Sequence, residues 1–172
     1  MRDRNVLKWA VYAFALVVIA ILQGTPHALP SIAGTLPLII IPCVISIAVF
    51  EGVTPGAVFA IIGGLIWDLE SGKAFGFNAF FLMVTCIAAA LLIENLFRNT
   101  FFSGLVFSLI TTFIMEVVTW FFFIYLRGNE QFVAAFFRVI LPTIIYTNVF
   151  LFPFYFGARL VNRRLSAKEK DL

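Results

Sequence analysis

The stretch GVTPGAVFAIIGGLIWDLESGKAFGFN, residues 52–78, decides the fold of this chain. Small residues recur in it at every fourth position, and the same step then reaches an aspartate and two more glycines. These positions are Gly52, Gly56, Ala60, Gly64, Asp68, Gly72 and Gly76. A step of four residues stays close to one face of an α-helix. The pattern predicts an apolar helix with a smooth stripe that ends at a carboxylate and is followed by a glycine-marked loop.

The composition around this stretch is that of an integral membrane protein. The 172 residues are 62% hydrophobic and only 12% charged, whereas soluble domains have about 25% charged residues. The length suits one compact helical bundle without a second domain. We therefore expect an all-α membrane protein that forms a single domain.

Apolar runs separated by polar turns predict six transmembrane helices. A basic segment, residues 1–8, precedes the first run, and no convincing cleavage site follows that run, so we interpret it as an uncleaved helix and not as a signal peptide. The runs after it are bounded by proline, glycine and charged residues. The predicted helices span residues 8–23, 36–50, 54–68, 78–93, 101–126 and 136–158, and residues 159–172 are predicted to form a basic cytoplasmic tail.

The distribution of Lys and Arg predicts the orientation of these helices. Cytoplasmic segments of membrane proteins carry an excess of both residues. If both termini are cytoplasmic, nine of the twelve basic residues lie on that side: Arg2, Arg4, Lys8, Arg98, Arg159, Arg163, Arg164, Lys168 and Lys170. This orientation places the loop after Asp68 on the outer face of the membrane.

The small-residue stripe, defined as Gly52, Gly56, Ala60 and Gly64, is expected to be a helix contact face. Helices in a bilayer associate through close packing, and small side chains let two backbones approach. The approaching helix belongs either to this chain or to a partner protein, and the pattern itself leaves both alternatives open.

Asp68 and the residues after it predict an ordered outer loop. The simple interpretation of Asp68 is a carboxylate at a helix end, and the alternative is an acceptor for backbone N–H groups of the loop. Gly72 and Gly76 would supply left-handed backbone conformations, and Asn78 would cap the start of the fourth helix.

A second polar group is expected within the bundle. Glu116 lies in the middle of the fifth predicted helix, where a carboxylate is costly unless it faces a partner or a polar cavity. The sixth helix carries Arg138, Tyr146 and Asn148. We expect these four residues to meet in a polar core, which would be either a structural hydrogen-bond cluster or a pocket for a ligand or a proton.

The residues give no support to catalysis, metal binding or nucleic-acid binding. The single histidine, His27, lies in a proline-rich loop, and Cys43 and Cys86 lie inside apolar runs. No motif of a protease, hydrolase or phosphate-binding loop occurs, and no basic cluster is interleaved with stacking aromatic residues. We therefore expect no enzymatic activity, no cofactor and no metal.

The outer-loop motif resembles the signature of the MreD family, the rod shape-determining membrane proteins of bacteria. The resemblance is carried by Gly64, Asp68, Ser71, Gly72 and Gly76 in the run GGLIWDLESGKAFGFNAF. The segment from Arg138 to Arg164 is also similar to the family's last helix, with Leu141, Pro142, Tyr146, Asn148, Pro153 and a basic end.

This resemblance implies a non-enzymatic scaffold subunit of the cell-elongation (rod) complex in the bacterial inner membrane, supporting lateral peptidoglycan synthesis. The implied partner is an MreC-type bitopic membrane protein, with indirect links to a RodA-type glycosyltransferase, a penicillin-binding transpeptidase and MreB. The implied fold is similar to the six-helix substrate-binding subunits of energy-coupling-factor transporters. A small-molecule or lipid-binding subunit of such a transporter is therefore the alternative function, and contact with membrane lipid is expected in either case.

Overall fold

The chain is all-helical in the computed structural model, which describes residues 2–25, 28–31, 34–72, 74–95, 100–125 and 136–166. A π-helical turn, Phe121–Tyr125, extends the fifth helix, and another, Phe136–Ile140, precedes the sixth. The α-helices are α1 (Arg2–Gly24), α2 (Ile40–Glu51), α3 (Val53–Ser71), α4 (Phe77–Asn95), α5 (Phe101–Trp120), α6 (Leu141–Val149) and α7 (Leu151–Ser166).

Within the described ranges, five helical segments are long and apolar enough to cross a membrane. They are Val6–Gly24, Val53–Ser71, Phe77–Asn95, Phe101–Phe123 and Phe137–Arg164, the last of which combines α6 and α7. The all-α class expected from the sequence is confirmed. The last helix continues to Ser166, so residues 159–166, which were expected to lie in a soluble tail, form the final two turns of α7. Residues 167–172 of that tail lie outside the described residues.

The short helix α2 forms the centre of the bundle. Ten consecutive residues, Ile40–Val49, are buried, and α2 contacts each of the other six α-helices. A helix that is hydrophobic on all sides is stable only when it is surrounded by other helices. The apolar sequence of α2, which includes Ile40, Ile41, Val44 and Ile45 at zero exposure, therefore selects its central position.

Helix α2 is too short to cross the membrane by itself. Its 12 residues give about 18 Å at 1.5 Å per residue, against a hydrocarbon core of about 30 Å. Residues 36–38, which were expected to belong to the helix, have no regular secondary structure. The Leu38 N–H donates to Thr147 Oγ1 at 2.9 Å, and the Ile40 N–H donates to Gln23 Oε1 at 3.1 Å. These bonds satisfy non-helical backbone, which is tolerated at membrane depth only inside protein.

The beginning of α1 and the end of α7 lie on the same side of the bundle. Lys8, near the start of α1, and Asn162, near the end of α7, both contact Glu51, the last residue of α2. Gln23, near the end of α1, contacts the first residue of α2. Helix α2 therefore extends from the Gln23 contact to the Glu51 contact, alongside α1. We call the two ends of the bundle the Glu51 end and the Asp68 end.

The small-residue stripe of α3 is packed inside this chain. A Cβ atom at Gly56 would lie 2.7 Å from Ala48 Cβ of α2, and one at Gly64 would overlap the backbone of Ala79 in α4. Ala60, between them, is fully buried. The alternative of a partner contact through this face is therefore not supported, because α2 and α4 already occupy it.

Gly52 has a different role from the other stripe residues. It lies between α2 and α3 with φ 87°, a backbone conformation that side chains other than hydrogen disfavour. The expectation that Gly52 belongs to the helical face is wrong, since Gly52 forms the turn that lets α3 fold back along α2.

We expect Gly64→Ala to destabilise the protein because the added methyl group would meet the backbone of α4. Overpacking of this kind costs about 1–3 kcal/mol, which thermal unfolding in detergent would measure. Gly104→Ala is the matched control, since its Cβ would meet Tyr155 Cδ2 at an ordinary 3.4 Å. Equal melting temperatures for the two variants would contradict the close approach of α3 and α4.

Candidate functional site

Asp68 organises the loop between α3 and α4. The residue is 2% exposed, and its two carboxylate oxygens accept three backbone N–H groups. Oδ2 accepts from Gly76 at 2.9 Å and from Ala79 at 3.3 Å, and Oδ1 accepts from Asn78 at 2.9 Å. The first N–H groups of a helix have no partner within that helix. A carboxylate from the end of α3 therefore caps the beginning of α4.

Two glycines give the loop the backbone conformation that this capping needs. Gly72 ends α3 in the left-handed region with φ 61°, and Gly76 precedes α4 with φ 89°. Both values are readily reached by glycine and cost other residues free energy. The spacing of Asp68, Gly72 and Gly76 is thus the spacing of a helix end, its C-cap and the entry to the next helix.

Asn78 does not have the capping role that the sequence suggested. It lies inside the first turn of α4, where its backbone N–H is bound by Asp68. Its side-chain Nδ2 lies 3.5 Å from Ser71 Oγ, and its buried Oδ1 has no hydrogen-bond partner among the described residues. Asp68 performs the capping because its position on α3 is directly opposite the start of α4.

Glu94 of α4 caps the beginning of α3 at the other end of the same helix pair. Glu94 lies in the last turn of α4, and its Oε1 accepts the Val53 N–H at the start of α3 at 3.1 Å. A carboxylate at a helix N-terminus also interacts favourably with the helix dipole. Helices α3 and α4 are therefore joined at both ends by a carboxylate of one helix on the first turn of the other, with the Gly64–Ala79 contact between them.

A second polar cluster lies at the Glu51 end. Lys8 Nζ forms a salt bridge with Glu51 Oε2 at 2.6 Å, and the two side chains are 10% and 6% exposed. Glu51 Oε1 accepts from Tyr12 Oη and Asn162 Nδ2, both at 3.0 Å. The cluster joins α1, α2 and α7 through one carboxylate, which has a charged partner and two further hydrogen bonds.

Glu51, Lys8 and Glu94 were not among the candidate residues that the sequence provided. Each lies at the edge of an apolar run, where a charged residue has the simpler interpretation of a solvated helix flank. The predicted topology nevertheless contained a signal, since it places Lys8, Glu51, Glu94 and Asn162 on one side of the membrane. Opposite charges at the same end of a small bundle are candidates for pairing.

Two of the four residues expected to form a polar core, Tyr146 and Asn148, have hydrogen bonds to other parts of the chain. Tyr146 Oη donates to the Pro30 carbonyl at 2.9 Å, and Asn148 Nδ2 donates to the Ile144 carbonyl of its own helix at 2.9 Å. Arg138 is exposed, and Glu116 is half-buried on α5. The hydrogen bonds of Tyr146 and Asn148 thus go elsewhere than to Glu116, and this part of the expectation is wrong.

Two cavities among the described residues have mainly apolar linings that do not include Glu116. One of about 410 Å³ is lined by Tyr146 and Pro142 together with apolar residues of α6, and one of about 240 Å³ lies between α1, α2 and α7. Within the described ranges, no group of three or more His, Cys, Asp or Glu residues could hold a metal ion.

Comparison with known families identifies the chain. The model of the MreD family, described as rod shape-determining protein MreD, matches residues 3–164 of the 172. The chain belongs to the MreD family. Membership in the MreD family gives the chain a role in rod shape determination and agrees with its apolar helices. No curated protein and no solved structure gives a significant match.

The match covers both parts of the family resemblance seen in the sequence. It includes the Asp68 loop and the helices α6 and α7, and it ends at Arg164, two residues before the end of α7. In this MreD chain the most particular part of the resemblance, Asp68 with Gly72 and Gly76, is a helix-capping structure.

We expect Asp68→Asn to destabilise this MreD chain. An amide side chain has one acceptor oxygen in place of two, so at least one N–H of the α4 first turn would be left unsatisfied at about 1–3 kcal/mol. Thermal unfolding would measure the loss. Glu70→Gln is the control, because Glu70 is an exposed carboxylate on the same helix. A loss no larger for Asp68→Asn than for Glu70→Gln would contradict the capping role.

The salt bridge at the Glu51 end predicts a non-additive pair of substitutions. Lys8→Met would leave the Glu51 carboxylate nearly buried without its cation, which costs about 3–5 kcal/mol for a buried pair. Adding Glu51→Gln removes the uncompensated charge while keeping an acceptor for Tyr12. We expect Lys8→Met/Glu51→Gln to be more stable than Lys8→Met by thermal unfolding. Equal or lower stability of the double variant would contradict the pairing.

Proposed function

We propose that the chain is a non-enzymatic scaffold subunit of the bacterial cell-elongation complex in the inner membrane. The observation that carries the proposal is the family match over residues 3–164. The chemistry of the described carboxylates agrees with it. Asp68, Glu94 and Glu51 are each engaged by backbone or side-chain donors of their own chain, which supports a structural role for them rather than acid–base chemistry.

The proposed partner is an MreC-type bitopic membrane protein, through which the chain supports lateral peptidoglycan synthesis. Links to a RodA-type glycosyltransferase, a penicillin-binding transpeptidase and MreB would be indirect. The small-residue stripe is filled by α2 and α4, so the partner's transmembrane helix would bind an outer face of the bundle. The rigid α3–α4 pair and the central helix α2 would then present that face in a fixed geometry.

The positive-inside distribution supports a cytoplasmic location for the Glu51 end. This end carries the exposed Arg159, Arg163 and Arg164 of α7 as well as the start of α1. Cytoplasmic flanks of transmembrane helices are enriched in such residues. The Asp68 loop would accordingly lie on the outer side, where the extracytoplasmic domain of a bitopic partner is located.

The alternative of a transporter subunit that binds a small molecule is not proposed. That function required Glu116 and Tyr146 to line one open cavity towards the outer side. The cavity that contains Tyr146 is lined by one residue of the preceding π-helical turn and five of α6, namely Phe137, Leu141, Pro142, Ile145, Tyr146 and Val149. The Tyr146 hydroxyl is engaged by Pro30.

Depletion of the protein in its bacterial host tests the proposed role in elongation. We expect rod-shaped cells to become round and incorporation of labelled peptidoglycan precursors into the side wall to fall, with restoration by the wild-type chain. Gly64→Ala should restore shape in proportion to its remaining folded amount, and Gly104→Ala should restore it fully. Unchanged shape and unchanged side-wall labelling after depletion would contradict the proposal.

Photo-crosslinking in membranes tests the partner and its binding face. Cross-linkable residues would be placed at exposed positions on four helices: Phe14 of α1, Phe80 of α4, Phe102 of α5 and Phe152 of α7. We expect cross-links to the MreC-type protein from only one or two of these helices. Ala60, buried in α3, is the negative control position. Failure of every exposed position, together with failure to co-purify, would contradict partner binding.

A further inference from the structure

We propose that the groove between α1, α2 and α7 binds one acyl chain of an anionic phospholipid from the leaflet at the Glu51 end. The groove has a volume of about 240 Å³. Its walls include Val11 and Ala15 of α1 and Gly157 and Val161 of α7, and its floor includes Cys43 of α2. This lipid site is independent of the proposed scaffold function.

Small side chains create the groove. Ala15, Cys43, Gly157 and Ala158 meet where α1 crosses α7 above α2, and none of them is long enough to fill the space between the helices. A Cβ atom added at Gly157 would have no neighbour within 4 Å. The backbone positions of the helices therefore determine this space, which does not depend on the rotamer of a flexible side chain.

The size and polarity of the groove favour a hydrocarbon chain. Its volume equals about eight groups of the size of a water molecule at about 30 Å³ each, and a methylene group is of similar size. A second α-helix of about 10 Å diameter would occupy roughly 800 Å³ over a length of 10 Å, so a single acyl chain matches the volume of the groove more closely than a helix does. Its lining is almost entirely apolar, since the Tyr12 hydroxyl is bound to Glu51.

The charges at the end of the groove favour an anionic headgroup. The wall formed by α7 continues into Arg164, which follows Val161 by three residues on the same face, and Arg163 is exposed beside it at the same end of the helix. Glu51, an acidic residue at this end, is already neutralised by Lys8, and Glu94 is bound to the start of α3. Basic residues near a membrane surface attract anionic lipid headgroups, so the groove and the charges together suit one phosphatidylglycerol-like molecule.

Lipid retention measured by native mass spectrometry tests the site. The purified full chain would be delipidated and then titrated with phosphatidylglycerol, with phosphatidylethanolamine of the same acyl chains, and with a prenyl phosphate. Gly157→Leu adds an isobutyl group to the groove wall at a position where the added Cβ has no neighbour within 4 Å. Ala10→Leu, at an exposed position of α1 outside the groove, adds a similar group to the lipid-facing surface. Arg163→Gln/Arg164→Gln leaves the groove intact and removes the two charges.

We expect the wild-type chain and Ala10→Leu to bind one phosphatidylglycerol, and Gly157→Leu to bind it about tenfold more weakly at an unchanged melting temperature. The double arginine variant should lose the preference for phosphatidylglycerol over phosphatidylethanolamine, with about a fivefold loss for each charge. The proposal is overturned if Gly157→Leu binds as tightly as Ala10→Leu, if the wild-type chain does not distinguish the two headgroups, or if the prenyl phosphate binds in preference. Unfolding of Gly157→Leu would itself contradict the open space at this position, and Ala15→Leu would then repeat the test from α1.

Discussion

The structure depends on satisfying backbone N–H groups where helices begin inside or at the edge of the membrane. Water cannot reach these groups in the hydrocarbon core, and each unsatisfied group costs several kcal/mol. In this chain, side chains from neighbouring elements accept backbone N–H groups at the starts of three helices. Gln23 binds the start of α2, Glu94 binds the start of α3, and Asp68 binds the start of α4. Each of these bonds also fixes the position of one helix relative to another.

The pair formed by α3 and α4 shows how this constraint combines with packing. The close approach of Gly64 to Ala79 brings the two helices together along their length, and the carboxylates of Asp68 and Glu94 hold their opposite ends. Close approach makes the capping distances short, and the caps prevent the helices from sliding past each other. The central helix α2 then packs against this pair, and its apolar surface is covered on all sides by the remaining helices.

This architecture explains why charged residues in a chain of 12% charged composition are concentrated in a few clusters. Glu51 joins three helices through Lys8, Tyr12 and Asn162, and Asp68 and Glu94 join two. Such carboxylates have little freedom to bind an external ligand. A protein of the MreD family with these contacts presents a rigid helical body to its surroundings, which suits the role of a scaffold.

Much of the Asp68 loop could be predicted from the sequence, because its hydrogen bonds join residues that are close in the sequence. An acceptor at a helix end, a glycine four residues on and another glycine four residues later describe a helix end, its C-cap and the next helix entry, and all of these lie within 11 residues. The all-helical class also follows from the chain alone, since an apolar run long enough to span the bilayer satisfies its backbone groups by forming a helix.

Contacts between distant residues were decided only by the tertiary structure. The sequence could not show that Glu51 pairs with Lys8, that Glu94 caps α3, or that Tyr146 and Asn148 bind Pro30 and Ile144 in place of Glu116. Such pairings depend on the rotation of each helix about its axis, which the bundle as a whole determines. The same holds for the stripe from Gly56 to Gly64: its small side chains determined that a helix would approach closely, and the packed bundle decided that α2 and α4 would be the helices that do so.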